Sequence, residues 1–85
     1  MKIRYKIMDI IKEGLKELDI NNNKSIEITE KTNLINDLFA DSLDMLELVI
    51  YLEETLGVEM PDKATENLFT IKQILDYLET KEIHF

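Results

Sequence analysis

Side chains able to act as nucleophiles, acids or metal ligands are scarce in this sequence of 85 residues. It has no Cys, which excludes disulfides and thiolate metal sites, and its one His is His84, next to the C-terminus. No nucleophile in the sequence has a plausible base. A chain of this length also has little room for a deep catalytic cleft. We therefore expect no catalytic residues and no enzymatic activity of its own.

One polar segment has oxygen ligands at the spacing of an EF-hand calcium loop. Its first, third, fifth, ninth and twelfth positions are Asp19, Asn21, Asn23, Glu27 and Glu30. The sixth position, where such a loop needs Gly for a sharp turn, is Lys24, a cation close to where the metal would bind. We therefore predict no metal site and interpret the segment as a polar connection, with a calcium-binding module as an alternative.

Negative charge is concentrated in one part of the chain. Of 18 acidic residues in the sequence, eight lie in residues 41–66, where the only base is Lys63. Such a surface repels nucleic acid and anionic membranes and speeds association with basic protein surfaces, although it can also serve solubility alone. No apolar run approaches the ~20 residues that span a bilayer, and the charged N-terminal segment lacks a signal-peptide core. We expect a cytoplasmic protein that binds neither nucleic acid nor membrane.

Helical periodicity begins at the N-terminus. Apolar residues recur at the spacing of one helix face over residues 3–18, and Asn21-Asn22-Asn23 should end this helix. A long first loop is expected over residues 19–40. Its apolar side chains, which can reach back onto the core, are Ile26, Ile28, Leu34, Ile35 and Leu38.

The middle helix has signals at both ends. Asp41-Ser42 predicts its start, because a short polar side chain can cap the first free amides, and Asp44 stands at the position of a capping box. The helix should run to about Leu56, with Gly57 adopting the left-handed conformation just beyond it.

Two further helices complete the prediction. Pro61-Asp62 opens a short turn or helix, and Thr70 caps a last helix with apolar residues at helical spacing. Three main helices, a short fourth helix and a long first loop predict an all-α bundle in a single domain over residues 1–85.

The middle helix has two apolar faces. The core face is formed by Met45, Leu48, Val49, Leu52 and Leu56. Leu43, Leu46 and Ile50 cluster on the opposite side, among acidic residues. An apolar patch rimmed by charge is typical of a surface that docks another protein. The alternative is a central helix buried on two sides.

The segment Asp37-Leu38-Phe39-Ala40-Asp41-Ser42-Leu43-Asp44-Met45-Leu46-Glu47-Leu48-Val49, continued by Tyr51-Leu52-Glu53-Glu54 and Val58-Glu59-Met60-Pro61-Asp62, resembles the acyl carrier proteins of type II fatty acid synthesis. The helix layout outside this segment agrees with that family. The most specific part is Asp41-Ser42-Leu43 at the start of an acidic helix. In the family this Ser is esterified with 4′-phosphopantetheine, whose thiol carries acyl groups as thioesters, and the matching residue is Ser42.

The resemblance also implies partners. These are a phosphopantetheinyl transferase and acyl-transfer, synthase or ligase enzymes with basic docking patches, which would bind a monomeric carrier. The partner-binding residues that match the family's recognition helix are Asp41, Leu43, Asp44, Leu46, Glu47, Ile50, Glu53 and Glu54. The acyl chain would be sheltered by Leu48, Leu52, Leu56 and other apolar residues. Cargo in fatty acid or related lipid or secondary-metabolite synthesis is expected, with polyketide, D-alanyl or aminoacyl cargo as an alternative. An unmodified acidic interaction module is the alternative from another class.

Two positions depart from the family pattern. Phe39 stands where these carriers usually have Gly, which permits backbone angles that Phe resists, and Tyr51 is bulkier than the small residue common there. We expect Phe39 to pack into the core with Leu38, because an exposed Phe would extend the apolar patch. The other interpretation is that Phe39 lies against the prosthetic arm and the partner's entrance.

Overall fold

Helices account for most of the regular structure of the chain. The structure is a computed structural model that describes residues 2–20, 27–81 and 83. Its helices are α1 (Lys2–Glu17), α2 (Ser42–Leu56), α3 (Asp62–Thr65) and α4 (Ile71–Glu79). Within these residues the predicted all-α architecture of three main helices and a short helix is confirmed, and residues 19–20 and 27–40 are the described parts of the predicted long first loop. No helix within the described ranges is long and apolar enough to cross a membrane.

Side-chain bonds define the start of α2, and a left-handed glycine defines its end. Asp41 Oδ1 accepts the N–H of Asp44 at 2.8 Å, and Asp44 Oδ2 accepts the N–H of Asp41 at 3.1 Å, which completes the predicted capping box. After Leu56 the chain turns at Gly57, whose φ is +67°, as the sequence predicts. The capping box therefore fixes the position of Ser42, the first residue of α2.

Helix α1 ends earlier than expected. Asp19 has a φ of +55°; its N–H donates to Lys16 O at 3.1 Å, and Ile20 N–H donates to Leu15 O at 2.9 Å. This is the Schellman arrangement, in which a left-handed residue satisfies the last carbonyls of a helix. The predicted terminator, Asn21-Asn22-Asn23, lies outside the described residues. In the structure α1 ends at Glu17, and Asp19 is the left-handed residue that follows it.

The core lies where α1 packs against α2 and α4. Leu34 and Leu38 of the first loop are buried in it and Ile28 is partly buried, as predicted, whereas Ile35 is 42% exposed and its predicted place in the core is wrong. Ile26 lies outside the described residues. The buried apolar residues are Ile7, Ile11, Leu15, Ile20, Leu34, Leu38, Ala40, Leu48, Leu52, Leu56, Met60, Ile71, Ile74, Leu75 and Leu78.

Backbone hydrogen bonds tie the first loop to the start of α4. Leu34 N–H donates to Phe69 O at 2.8 Å, and Ile71 N–H donates to Thr32 O at 3.1 Å. Thr70 caps α4 as predicted, because its hydroxyl oxygen accepts the N–H of Gln73 at 3.1 Å. The loop before α2 and the entrance to α4 therefore form one connected surface beside Ser42.

Candidate functional site

Ser42 is the first residue of α2, and its side chain is exposed. Asp41 caps the helix from the preceding position, so Ser42 stands directly beside the N-terminal turn. The first amides of a helix lack acceptors within the helix, and the helix dipole is positive at this end. The helix end therefore favours a phosphate ester on Ser42 Oγ, although the neighbouring Asp41 and Asp44 carboxylates of the capping box repel it.

An apolar groove of about 490 Å³ opens beside Ser42. Residues of α2 form one wall, and the loop before α2, the α3 region and the start of α4 form the rest. Its principal apolar lining residues are Ile35, Met45, Leu48, Leu52, Leu68 and Phe69. Leu48 and Leu52, two of the residues predicted to shelter the acyl chain, line this groove, whereas Leu56 is buried outside the lining.

The residues present fit a phosphate-linked prosthetic arm. Ser42 supplies an accessible hydroxyl at a helix start, and the groove offers apolar space next to it. Ile35 and Phe69, which line the groove from outside α2, were missed in the sequence because apolar periodicity does not distinguish a groove wall from the core.

Comparison with known proteins agrees with this geometry. A family model described as the phosphopantetheine attachment site matches residues 6–78. An acyl carrier protein of Syntrophobacter fumaroxidans is 46% identical over 76 residues, which cover 89% of this chain and 86% of the relative. An acyl carrier protein of Wolinella succinogenes is 41% identical over 76 residues, covering 89% of this chain and 97% of the relative. The chain belongs to the acyl carrier protein family. The cofactor of this family domain is 4′-phosphopantetheine, as the sequence predicts.

The second apolar face of α2, predicted to bind partners, is exposed. Leu43 is 62% exposed, Leu46 50% and Ile50 44%. The alternative of a helix buried on two sides is therefore wrong. Leu46 also lines the groove, so this apolar face is continuous with the space beside Ser42.

The carboxylates that the sequence of this acyl carrier chain predicts to bind partners differ in their bonds. Asp41 and Asp44 serve the capping box, and Glu53 Oε2 accepts the backbone N–H of Met60 at 2.7 Å. Glu47 and Glu54 are exposed. Glu53 therefore stabilises the connection after α2. Of the carboxylates predicted to bind partners, Glu47 and Glu54 are best placed to contact another protein.

Phe39 differs from its predicted packing. Its side chain is 78% exposed and its φ is +58°, so the expectation that it enters the core with Leu38 is wrong. The neighbours Leu38 and Ala40 are buried and fill the core positions on either side. The backbone takes the left-handed conformation that Gly adopts more easily than Phe.

Arg4 binds three carboxylates from distant parts of the chain. Its guanidinium bonds both oxygens of Glu30, at 2.9 and 3.0 Å, and pairs with Asp76 at 3.0 Å and with Glu79. Arg4 lowers the pKa of Glu30 mainly through this hydrogen bond, while hydrogen bonds first from Lys72 and then from Arg4 lower the pKa of Asp76.

The same network bears on the candidate calcium loop. Glu30, its twelfth position, directs both carboxylate oxygens to Arg4. Asp19, its first position, is the left-handed residue that ends α1. The positions between residues 21 and 26 lie outside the described residues. Among the residues that the structure describes, no three His, Cys, Asp or Glu side chains converge on a point that could hold a metal ion.

Proposed function

We propose that this chain holds acyl groups as thioesters on a 4′-phosphopantetheine arm attached to Ser42. The observation that carries the proposal is the position of Ser42, an exposed hydroxyl at the start of α2 beside an apolar groove. Ser42 also lies within the matched residues 6–78. We extend the proposal to a single acyl carrier domain over residues 1–85. The arm supplies a thiol, which the chain itself lacks because it has no Cys.

Attachment uses the Ser42 hydroxyl as nucleophile and a separate transferase as catalyst. Ser42 Oγ forms a bond to the phosphorus of a phosphopantetheine donor that carries a phosphoanhydride. The anhydride oxygen leaves with its electron pair, and the hydroxyl proton passes to a base of the transferase. The amides at the start of α2 face the resulting phosphodiester. Since this chain contributes no acid or base to the step, we propose that it has no enzymatic activity.

We propose a fatty acyl cargo, used in fatty acid synthesis or in related lipid or secondary-metabolite synthesis. The apolar walls of the groove support this choice, because burial of each methylene group contributes about 0.8 kcal/mol. A D-alanyl or other aminoacyl group has little apolar surface to bury and gains less there. A polyketide chain is the alternative that the same groove accommodates best.

Docking of partner enzymes is assigned to the exposed side of α2. Exposed Leu43, Leu46 and Ile50 provide apolar contacts, and Glu47 and Glu54 provide charge. Such charges raise association rates more than affinity, so partners with basic patches would bind fast and leave readily, as a shuttle requires. We propose a cytoplasmic monomer that serves a phosphopantetheinyl transferase and acyl-handling enzymes and avoids nucleic acid and membranes.

Intact-protein mass spectrometry tests the attachment site. The chain is incubated with a broad-specificity phosphopantetheinyl transferase and its donor, and one prosthetic group should be added. Ser42→Ala should abolish the addition. Ser25→Ala is the matched control, because Ser25 is the only other Ser in the chain, and it should be modified like the wild type.

An unchanged wild-type mass, under conditions that modify a known carrier, would contradict the proposal. The chain would then be better described as an unmodified acidic interaction module. Modification that persists in Ser42→Ala and disappears in Ser25→Ala would instead move the site to the first loop.

A further inference from the structure

Phe39 is an exposed aromatic residue in a backbone conformation that its side chain disfavours. Its φ is +58°, and 78% of its surface is accessible. Residues with a Cβ avoid this left-handed region, where the Cβ comes too close to the following carbonyl oxygen, whereas Gly adopts it freely. An exposed side chain recovers little of that cost by packing within the chain. A contact between Phe39 and another molecule would supply the stabilising interaction that this residue lacks within the chain.

The turn that carries Phe39 is held on both sides. Leu38 and Ala40 are buried. Phe39 N–H donates to Ile35 O at 3.1 Å, and Ala40 N–H donates to Leu34 O at 2.9 Å. The aromatic ring therefore extends from a fixed base, which reduces the entropy lost when a partner binds it.

The location of Phe39 favours a protein partner over the cargo. Phe39 lies three residues before Ser42 in the chain but does not belong to the lining of the groove. Residues 32–62 contain eight acidic residues and no Lys or Arg. An aromatic side chain in such surroundings is complementary to an apolar pocket with a basic rim.

We propose that Phe39 is a specificity residue that inserts into an apolar, basic-rimmed pocket beside the active site of the phosphopantetheinyl transferase that modifies Ser42. This inference rests on the proposed attachment at Ser42. The transferase is the partner that must bring its reacting groups to Ser42 Oγ itself, so its surface has to contact the residues that flank Ser42.

The test compares three variants with the wild type. Phe39→Asn removes the aromatic ring but tolerates the left-handed backbone, and Phe39→Leu keeps an apolar side chain. Tyr5→Asn is the matched control, because Tyr5 on α1 is 77% exposed and lies outside the groove lining. Each variant is modified by the transferase encoded in the same genome and by a broad-specificity transferase. Tm, kcat and KM are measured, together with equilibrium binding of the first transferase to each variant in a Ser42→Ala background.

Phe39→Asn should raise KM for the genome's own transferase and weaken its binding by about tenfold or more, with little change in kcat. Phe39→Leu should lose less affinity for this transferase, and Tyr5→Asn should lose none. All variants should keep the wild-type Tm or exceed it. Full modification by the broad-specificity enzyme would show that Ser42 remains reactive.

Four results would overturn the inference while leaving the attachment site intact. The first is an unchanged KM and affinity in Phe39→Asn. The second and third are a loss of affinity in Phe39→Leu or in Tyr5→Asn that equals the loss in Phe39→Asn. The fourth is a loss of affinity that is accompanied by a lowered Tm. If neither transferase modifies the wild type, the proposed function fails first, and the specificity role of Phe39 fails with it.

Discussion

Gly14 on α1 and Tyr51 on α2 are packed so closely that a Cβ at position 14 would lie 2.8 Å from Tyr51 Cδ1 and 2.9 Å from Tyr51 Cε1. Gly14 is buried within the helix, where Gly costs about 0.5–1 kcal/mol relative to Ala. The missing side chain makes room for the bulky Tyr51 ring. The two positions therefore act as a pair.

This pairing predicts that the effect of Gly14→Ala changes sign with the residue at position 51. In the wild type, the clash with the ring should outweigh the gain in helix propensity, for a net loss of up to about 2 kcal/mol. In a Tyr51→Ala background only the milder approach of Leu48 Cδ1, 3.3 Å from that Cβ, remains, and the same substitution should stabilise by up to about 1 kcal/mol. A double-mutant cycle of urea unfolding measures both values. The same sign in both backgrounds would contradict the pairing.

Glu53 and Glu54 provide a matched pair on α2. Glu53→Ala should destabilise by about 1–3 kcal/mol, because it removes the carboxylate that accepts the Met60 N–H. Glu54→Ala makes the same change of charge at an exposed position and should alter stability by less than about 0.5 kcal/mol. Urea unfolding compares them.

Glu54 and a second exposed carboxylate, Glu47, test docking rather than folding. Glu54→Ala and Glu47→Ala should slow association with a basic partner at low salt, and the difference from the wild type should shrink as salt is added. Stopped-flow association with the transferase measures this. Equal stability losses in Glu53→Ala and Glu54→Ala would mean that the Met60 contact contributes nothing.

The Arg4 network predicts a stability difference that depends on pH. Since the folded pKa values of Glu30 and Asp76 are lowered, their ion pairs stabilise the fold at pH values above their ordinary pKa values and lose this effect as the pH falls through the lowered ones. Arg4→Gln should therefore lower Tm slightly at pH 7, and the difference should shrink below about pH 4. Lys12→Gln, elsewhere on α1, makes the same change of charge and is the control. A difference that stays constant down to pH 2 would contradict this assignment.

The groove predicts that cargo affects stability. An octanoyl thioester on the Ser42 arm should raise Tm by several degrees relative to a D-alanyl thioester, because apolar carbons enter the groove. Ile35→Asp should reduce this gain, since Ile35 lines the groove and is 42% exposed. Ile50→Asp is the control, because Ile50 is 44% exposed and lies outside the lining. Equal Tm values for the two thioesters, measured by differential scanning calorimetry, would favour the aminoacyl alternative.

Features that depend on neighbouring residues could be predicted from the sequence alone. The sequence predicts the cap at Asp41, its partner Asp44, the turn at Gly57 and the cap at Thr70, because each bond joins residues only a few positions apart. It predicts the second apolar face of α2 for a similar reason. A helix of known start has a fixed angular spacing, so two apolar arcs on opposite sides cannot both face one core.

Only the tertiary structure decided the contacts between distant residues. Arg4 reaches Glu30 and Glu79 across 26 and 75 positions, and Gly14 meets Tyr51 where two helices cross. The exposure of Phe39 belongs here as well, since apolar character alone favoured burial, yet Leu38 and Ala40 occupy the core on either side of it. A sequence pattern predicts which face of a helix is apolar. Whether that face finds a partner depends on how the elements pack, because burial and charge pairing depend on distances in space.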